Sequence, residues 1–553
     1  MKKLLLFGAL AMSATTFSNA ANIVNLDTQK EYTSLATAVS EMASGETIQL
    51  NKSINFDGTI NPGEKEITIV GSSEGEDITI NYVLRSGATS LRTFVNMNAS
   101  ATGALKIQNL TINAGGNETT TNFIAQANGT LSLENVTVKD LVYNNTNPGM
   151  IRLTGTPTST VLNNVKFENC TSTYDVNNAV AASTLTLKGN CDYSVNLAQA
   201  AAFITDGGIS EGSNVAISFT SHTDGVPVVK GTTDLSKFTL DNAAKMLAPQ
   251  GADLCAINYA KILVVNDSEA GKESLGVATL GGTNGACGKI TGTSAQIIIN
   301  EDVDLASSIP SLAGKTVTIA GANPAVTVNL AIDKSLANAV AADTHVTLKD
   351  LIVNGVLDSY ASYTAQAPVA GSSVSIENVT FQNINISQYY LIRANAGGTW
   401  NLDNVSFSNC TGANGNPLVN TNNDGCAISG SIKGLSLRVA AGTTVNAEGL
   451  SADSEPIELT IGNGFVHDAP VITNCDDESL FTLTNNGWSL MADNGGIKAL
   501  ENKIVTGIEA VEAEAEGAAE YFDLNGMRVN AENLTPGIYV KRQGGKTSKI
   551  AIR

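Results

Sequence analysis

The chain has 553 residues, too many for one ordinary hydrophobic core, so two or three domains are expected. Its 52 acidic and 32 basic residues give a net charge of -20, a balance that repels phosphate backbones and excludes nucleic acid as a partner. Aromatic residues make up only 5%, which argues against a strong aromatic platform for sugars.

Residues 1–20 fall outside any core. Lys2 and Lys3 precede an apolar stretch, Leu4 to Met12, that is too short to span a bilayer. Ser18-Asn19-Ala20 supplies the small residues a signal peptidase needs, so residues 1–20 read as a secretory signal peptide and the location as secreted or outer cell surface. No cysteine lies near this segment, so no lipoprotein anchor is expected there. Loss of its two lysines leaves 30 basic and 52 acidic residues, a net charge near -22. Solubility outside the cell is the plain reading of that charge; acidic patches that collect calcium are the sharper one. No later stretch reaches about 18 apolar residues, so no membrane insertion is expected.

The mature chain opens with Leu35, Ala38, Val39 and Met42 at helical spacing, followed by Gly45-Glu46-Thr47-Ile48-Gln49-Leu50 and Ile67-Thr68-Ile69-Val70-Gly71. A finer repeat then begins, apolar-x-Asn-apolar-x-apolar, centred on Asn109, Asn135 and Asn164. It returns later around Asp350, Asn378 and Asn404. The centres are 26 and 29 residues apart in the first set and 28 and 26 in the second, a period typical of solenoids. Apolar residues alternate before the Asn (Leu131, Leu133) and after it (Val136, Val138), with a one-residue slip at the Asn itself. Strands have period two, so the slip marks two strands meeting at a one-residue corner. Asn tolerates the left-handed backbone such a corner needs, and stacked turns would set these side chains in a hydrogen-bonded ladder.

A unit of roughly 240 residues occurs twice. Phe167-Glu168-Asn169-Cys170-Thr171 returns as Phe407-Ser408-Asn409-Cys410-Thr411, and Phe238-Thr239-Leu240 returns as Phe481-Thr482-Leu483. Near the unit ends, Gly225-Val226-Pro227-Val228-Val229 matches Asp468-Ala469-Pro470-Val471-Ile472. The first unit is taken as 21–261 and the second as 262–506. The second opens more weakly, with Ser274-Leu275 and then Lys315-Thr316-Val317-Thr318-Ile319. These residues resemble the pectin-lyase-like right-handed parallel β-helices: a capping helix, a Gly-acid-Thr-Ile first strand and Asn-cornered rungs. The expected fold class is all-β, two tandem right-handed parallel β-helices plus a small C-terminal β module.

Residues 507–520 form an acidic Ala/Glu-rich linker. In 521–553, Tyr521 to Val529 reads as a hairpin around Asn525-Gly526, followed by Gly537-Ile538-Tyr539-Val540 and Ser548 to Ile552. This tail resembles the C-terminal sorting domain of type IX secretion in Bacteroidota, in its aromatic-x-Leu-x-Gly-x-x-Val hairpin, Gly-Ile-Tyr strand and basic last strand with Lys546, Lys549 and Arg553.

Catalytic chemistry is hard to find. The resemblance implies carboxylates that hold calcium and an Arg or Lys that takes a proton. Only Arg152 and Arg393 recur at matching places, each on the first strand of a coil, and neighbouring coils offer no acidic partners. Tyr389 and Tyr390 lie beside Arg393 as contact candidates. Asn420 to Ile428 is similar to polygalacturonase-type segments but supplies one carboxylate, Asp424, where an inverting hydrolase needs two; it reads as a turn. Trp400 and Cys426 fall at inward positions. His222, His345 and His467 read as loop or surface residues. The seven cysteines show no metal spacing and are expected as free thiols packed as small hydrophobes, with a Cys170–Cys191 bridge the alternative. No cofactor is expected, calcium aside. The expected function is a non-catalytic adhesin, a monomer whose partners are polysaccharide or host surface glycans; the alternative is a lyase or glycoside hydrolase with a diverged site.

Overall fold

The computed structural model describes residues 22–502 and 518–552, apart from 74–76, 146–148, 156–157, 206–207, 220, 333, 340, 356–358, 361–363, 368, 389 and 396. The leader, Tyr389, most of the linker and Arg553 lie outside the described residues.

The period-two pattern and its slip become visible as burial. In the strand Gly129–Lys139, Leu131 and Leu133 face inward before Asn135, and Val136 and Val138 face inward after it. Asn109, Asn135, Asn164, Asp350, Asn378 and Asn404 all adopt left-handed backbone, φ between 51° and 54°. Stacking these corners in register builds the ladder. Asn135 Nδ2 donates to Asn109 Oδ1 at 2.9 Å, Asn164 Nδ2 to Asn135 Oδ1 at 3.0 Å, and Asn378 Nδ2 to Asp350 Oδ1 at 2.9 Å.

A second ladder runs beside the first. Asp140, Asn169, Asn383 and Asn409 are also left-handed, with Asn169 Nδ2 on Asp140 Oδ1 at 3.2 Å and Asn409 Nδ2 on Asn383 Oδ1 at 2.8 Å. The repeated Phe-x-Asn-Cys-Thr peptide therefore marks a corner of its own.

These coils stack in parallel into a right-handed β-solenoid. Each unit has a 15-stranded sheet carrying the corners and a 7-stranded sheet behind it. Two large apolar cores fill the coils, one from Ile23 to Ala256 and one from Ile262 to Ala499. Rings repeat in line along them: Phe94 and Phe123 stack at 5.2 Å, Phe381 and Phe407 at 5.4 Å. Trp400 and Cys426 are buried inside the second unit.

The ends are closed differently. The helix Leu35–Glu41 covers the first open end with Leu35, Ala38 and Val39 buried, and Met42 beside them. The second unit has no such helix at Ser274-Leu275. Those residues lie in the antiparallel strand Gly271–Val277, paired with Ile262–Ser268. A helix is not required there, because the first unit itself covers this end. Its last hairpin, Lys245–Gln250 with Asp253–Asn258, packs Met246, Ala248 and Ile257 against Leu263, Val265 and Ile298.

The second unit ends in the corresponding hairpin, Trp488–Asp493 with Gly496–Glu501. Both hairpins join their coil antiparallel, with a register shift at the strand's proline, Pro227 or Pro470. The tail forms a separate four-stranded antiparallel sheet. Its first strand, Glu520–Phe522, begins one residue before Tyr521.

Candidate functional site: the outward columns of the seven-stranded sheets

Short strands with the pattern buried, half-buried, buried present one side chain per coil outward. In Ile151–Leu153 the flanking Ile151 and Leu153 enter the core and Arg152 points away from it. Ile392–Ala394 does the same for Arg393. Register then aligns these residues coil over coil, about 4.8 Å apart. The first unit's column reads Asn96, Ala125, Arg152, Asn177, Asn196, Ser218. The second reads Asn338, Gln366, Arg393, Asn420, Arg438, Thr460.

The structure therefore brings Arg152 and Arg393 to matching places in two outward columns, each followed by an asparagine. Both arginines are half-buried, and Arg152 Nε is enclosed without a hydrogen-bond partner. Burial holds the Arg393 guanidinium below its usual pKa, and burial likewise raises the nearby Tyr143 phenol against the opposing charge of Arg152. Tyr143 hydroxyl accepts from Asn122 Nδ2 at 2.7 Å, and that amide also reaches the Gly149 carbonyl at 3.0 Å. Tyr390 is half-buried beside the Arg393 strand.

The asparagines differ between units. Asn177 Oδ1 accepts from Asn196 Nδ2 at 3.0 Å. Asn420 is 3% exposed, and its Oδ1 has no partner. Its backbone carbonyl accepts from Trp400 Nε1 at 2.8 Å, tying the column to the core. Arg438 stands where the first unit has Asn196. Its guanidinium lies over Gly462, where a Cβ would come within 3.1 Å of Nη2. Sequence inspection missed Arg438 because its coil turns at Gly430 rather than at an Asn corner. The usable signal was the second unit's alignment with Ser194-Val195-Asn196.

Carboxylates near the columns are few, and Asp175 and Asp424 are occupied. Asp175 accepts from Ser194 N at 2.8 Å and Ser194 Oγ at 2.9 Å. Glu458 is exposed and pairs in register with Ser436. Asp424 accepts from Thr444 N at 2.9 Å, within a turn. Among the described residues, no three His, Cys, Asp or Glu side chains converge as a metal site would. His222 Nε2 lies 2.9 Å from Val226 O, His345 Nδ1 2.7 Å from Ser373 Oγ, and His467 Nδ1 accepts from Glu501 N at 3.0 Å. All seven cysteines are free thiols, so Cys170 and Cys191 form no bridge. A hollow of about 450 Å³ lies elsewhere, lined by Ile204, Ile209 and Lys237, whose ammonium is held by Glu211 and the Ile209 carbonyl.

Fold and columns together define a two-unit parallel β-helix protein with a half-buried arginine at the matched place in each unit's column. No protein-family model and no curated protein matches the chain. Among the described residues, no helix is long and apolar enough to cross a membrane.

Proposed function

We propose that the chain is a non-catalytic β-helix protein, secreted or held at the cell surface, that contacts polysaccharide or host glycans along its two outward columns. The observation that carries this reading is the matched pair Arg152 and Arg393, each flanked in register by an amide, Asn177 or Asn420. The guanidiniums, each seated beside a buried amide, offer the fixed donors that sugar hydroxyls and acidic groups need. Duplication of the column gives two contacts on one chain, which raises avidity without new chemistry.

The leader-like residues 1–20 and the tail's similarity to type IX sorting domains support export to the surface of a Bacteroidota cell. The Asn-cornered rungs support kinship with pectin-lyase-like β-helices. A monomer is the expected form, and the acidic surface disfavours nucleic acid.

A glycan array with the full chain tests the binding reading: retention of defined glycans supports it, and an empty array refutes it. Release of unsaturated or reducing sugars from a polysaccharide panel, abolished by Arg152→Ala or Arg393→Ala, would make the protein a lyase or hydrolase instead. Mass spectrometry of the exported form addresses the tail, since an intact Arg553 terminus would sink the sorting role.

A further inference from the structure

The two columns are not chemically equivalent, and the one aligned position at which they differ in charge is Asn196 against Arg438. Asn177 and Asn420 occupy the same place in the two units. In the first unit the next coil contributes Asn196, which satisfies the Asn177 carbonyl. In the second the next coil contributes Arg438, and the Asn420 Oδ1 is left without a partner. A buried acceptor without a donor is disfavoured, so the exchange sacrifices a bond to bring in a cation. Arg393 and Arg438 then stand two coils apart, about 10 Å along the column, with Asn420 between them. Arg438 makes no ion pair among the described residues. Glu458, exposed and one coil further on, is the carboxylate that bounds this end of the face.

Two guanidiniums on one half-buried line are unusual in a chain of net charge -20, whose average surface repels anions. Each presents a planar fork of donors that matches a carboxylate or sulfate, and partial burial strengthens those bonds over their value in water. We infer that the second unit selects anionic glycans, carboxylated or sulfated, through Arg393 and Arg438 on either side of Asn420. The first unit, with Asn196 in place of the second cation, lacks that pair. This inference rests on the glycan-contact reading proposed above.

Trp400 provides the readout, because its indole is bonded to the Asn420 backbone. The full chain, carrying Trp488→Phe so that Trp400 is the one emitter, is titrated with polygalacturonate and chondroitin sulfate as anionic ligands and with mannan and xylan as neutral ones, following Trp400 emission and calorimetric stoichiometry. Anionic ligands are expected to shift the emission, with affinity falling as salt rises. Arg438→Gln is expected to weaken anionic binding by about tenfold or more, while neutral binding stays as it was. Asn196→Arg rebuilds the pair in the first unit and is expected to double the number of anionic sites per chain. The inference is overturned if Arg438→Gln binds anionic ligands as tightly as the parent, or if a folded Asn196→Arg gains no second site. Binding of neutral ligands alone would leave the glycan reading standing and remove the charge selection. Binding of neither class would remove both.

Discussion

Asn135 offers the sharpest test of why the coil turns where it does. Its amide donates to Asn109 and accepts from Asn164, and its φ is 53°. Asn135→Ala removes both ladder bonds, each worth about 1 kcal/mol net at an exposed position. It also places a Cβ-bearing side chain with no local hydrogen bond in left-handed backbone, which costs about 1 kcal/mol more. The expected loss is about 3 kcal/mol. Asn135→Gly loses the same bonds but adopts the left-handed conformation freely, so about 2 kcal/mol is expected. Asn135→Asp keeps the acceptor facing Asn164 and falls between the parent and the glycine variant, as the natural Asp350 shows by accepting from Asn378. Urea unfolding followed by far-UV circular dichroism, at matched m-value, ranks the three. Alanine and glycine variants equal within about 0.5 kcal/mol would refute the backbone part of the reasoning, and a parent-like alanine variant would refute the ladder as well.

Trp400→Ala empties a fully buried site and strands the Asn420 carbonyl; a loss of about 3–5 kcal/mol in unfolding free energy is expected, with loss of the blue-shifted component of tryptophan emission. Burial pushes the thiols of Cys170, Cys255 and Cys410 up to about 11 and Cys287 up to about 12. Ellman's reagent at pH 8 should therefore react slowly with these four thiols in the folded chain, and alkylation in denaturant without reductant should label all 7 cysteines. Because these thiols titrate higher when folded than when unfolded, their contribution to stability is fully present below about pH 9 and is lost as pH rises towards 11, readable as a falling midpoint in thermal scans. Glu134 is held below its usual pKa by Lys106 and Gln108. The pair is largely exposed, so Glu134→Gln should cost under about 1 kcal/mol at pH 7 by urea titration, a loss that disappears as acid protonates the native carboxylate.

The residues that could be read in sequence were those whose side chains obey a strict period. Leu131, Leu133, Val136 and Val138 show their common inward direction only if Asn135 is a corner, and that single slip implies the ladder, the sheets and the buried Trp400. The second ladder leaves a shorter trace: Leu141 and Tyr143 after Asp140, and Ile384 and Ile386 after Asn383, alternate inward for only three residues, too short a run to read as a strand. Arg438 was hidden for a related reason: outward residues carry no apolar signature, and only coil-to-coil register identifies what lies beside Arg393. Ser274-Leu275 misled because it was compared with the capping segment of the first unit. A helix is needed only where a coil faces water, and that end faces the other unit.

The hairpins at the two unit ends decide how long this molecule can be. Aligned by their pairing, Met246, Ala248, Cys255 and Ile257 of the inner hairpin correspond to Ser489, Met491, Lys498 and Leu500 of the outer one. Lys498 is engaged with Asp493 and Asp468 across the position where Cys255 lies buried. The inner surface accepts another unit and the outer one declines it, although the two share one ancestral pattern. A third copy placed after Glu501 would meet a charged lysine where the existing junction has a thiol. Extending the array by recombination would therefore require these few side chains to revert first, and grafting the inner set onto the outer hairpin is the minimal edit for building a three-unit rod.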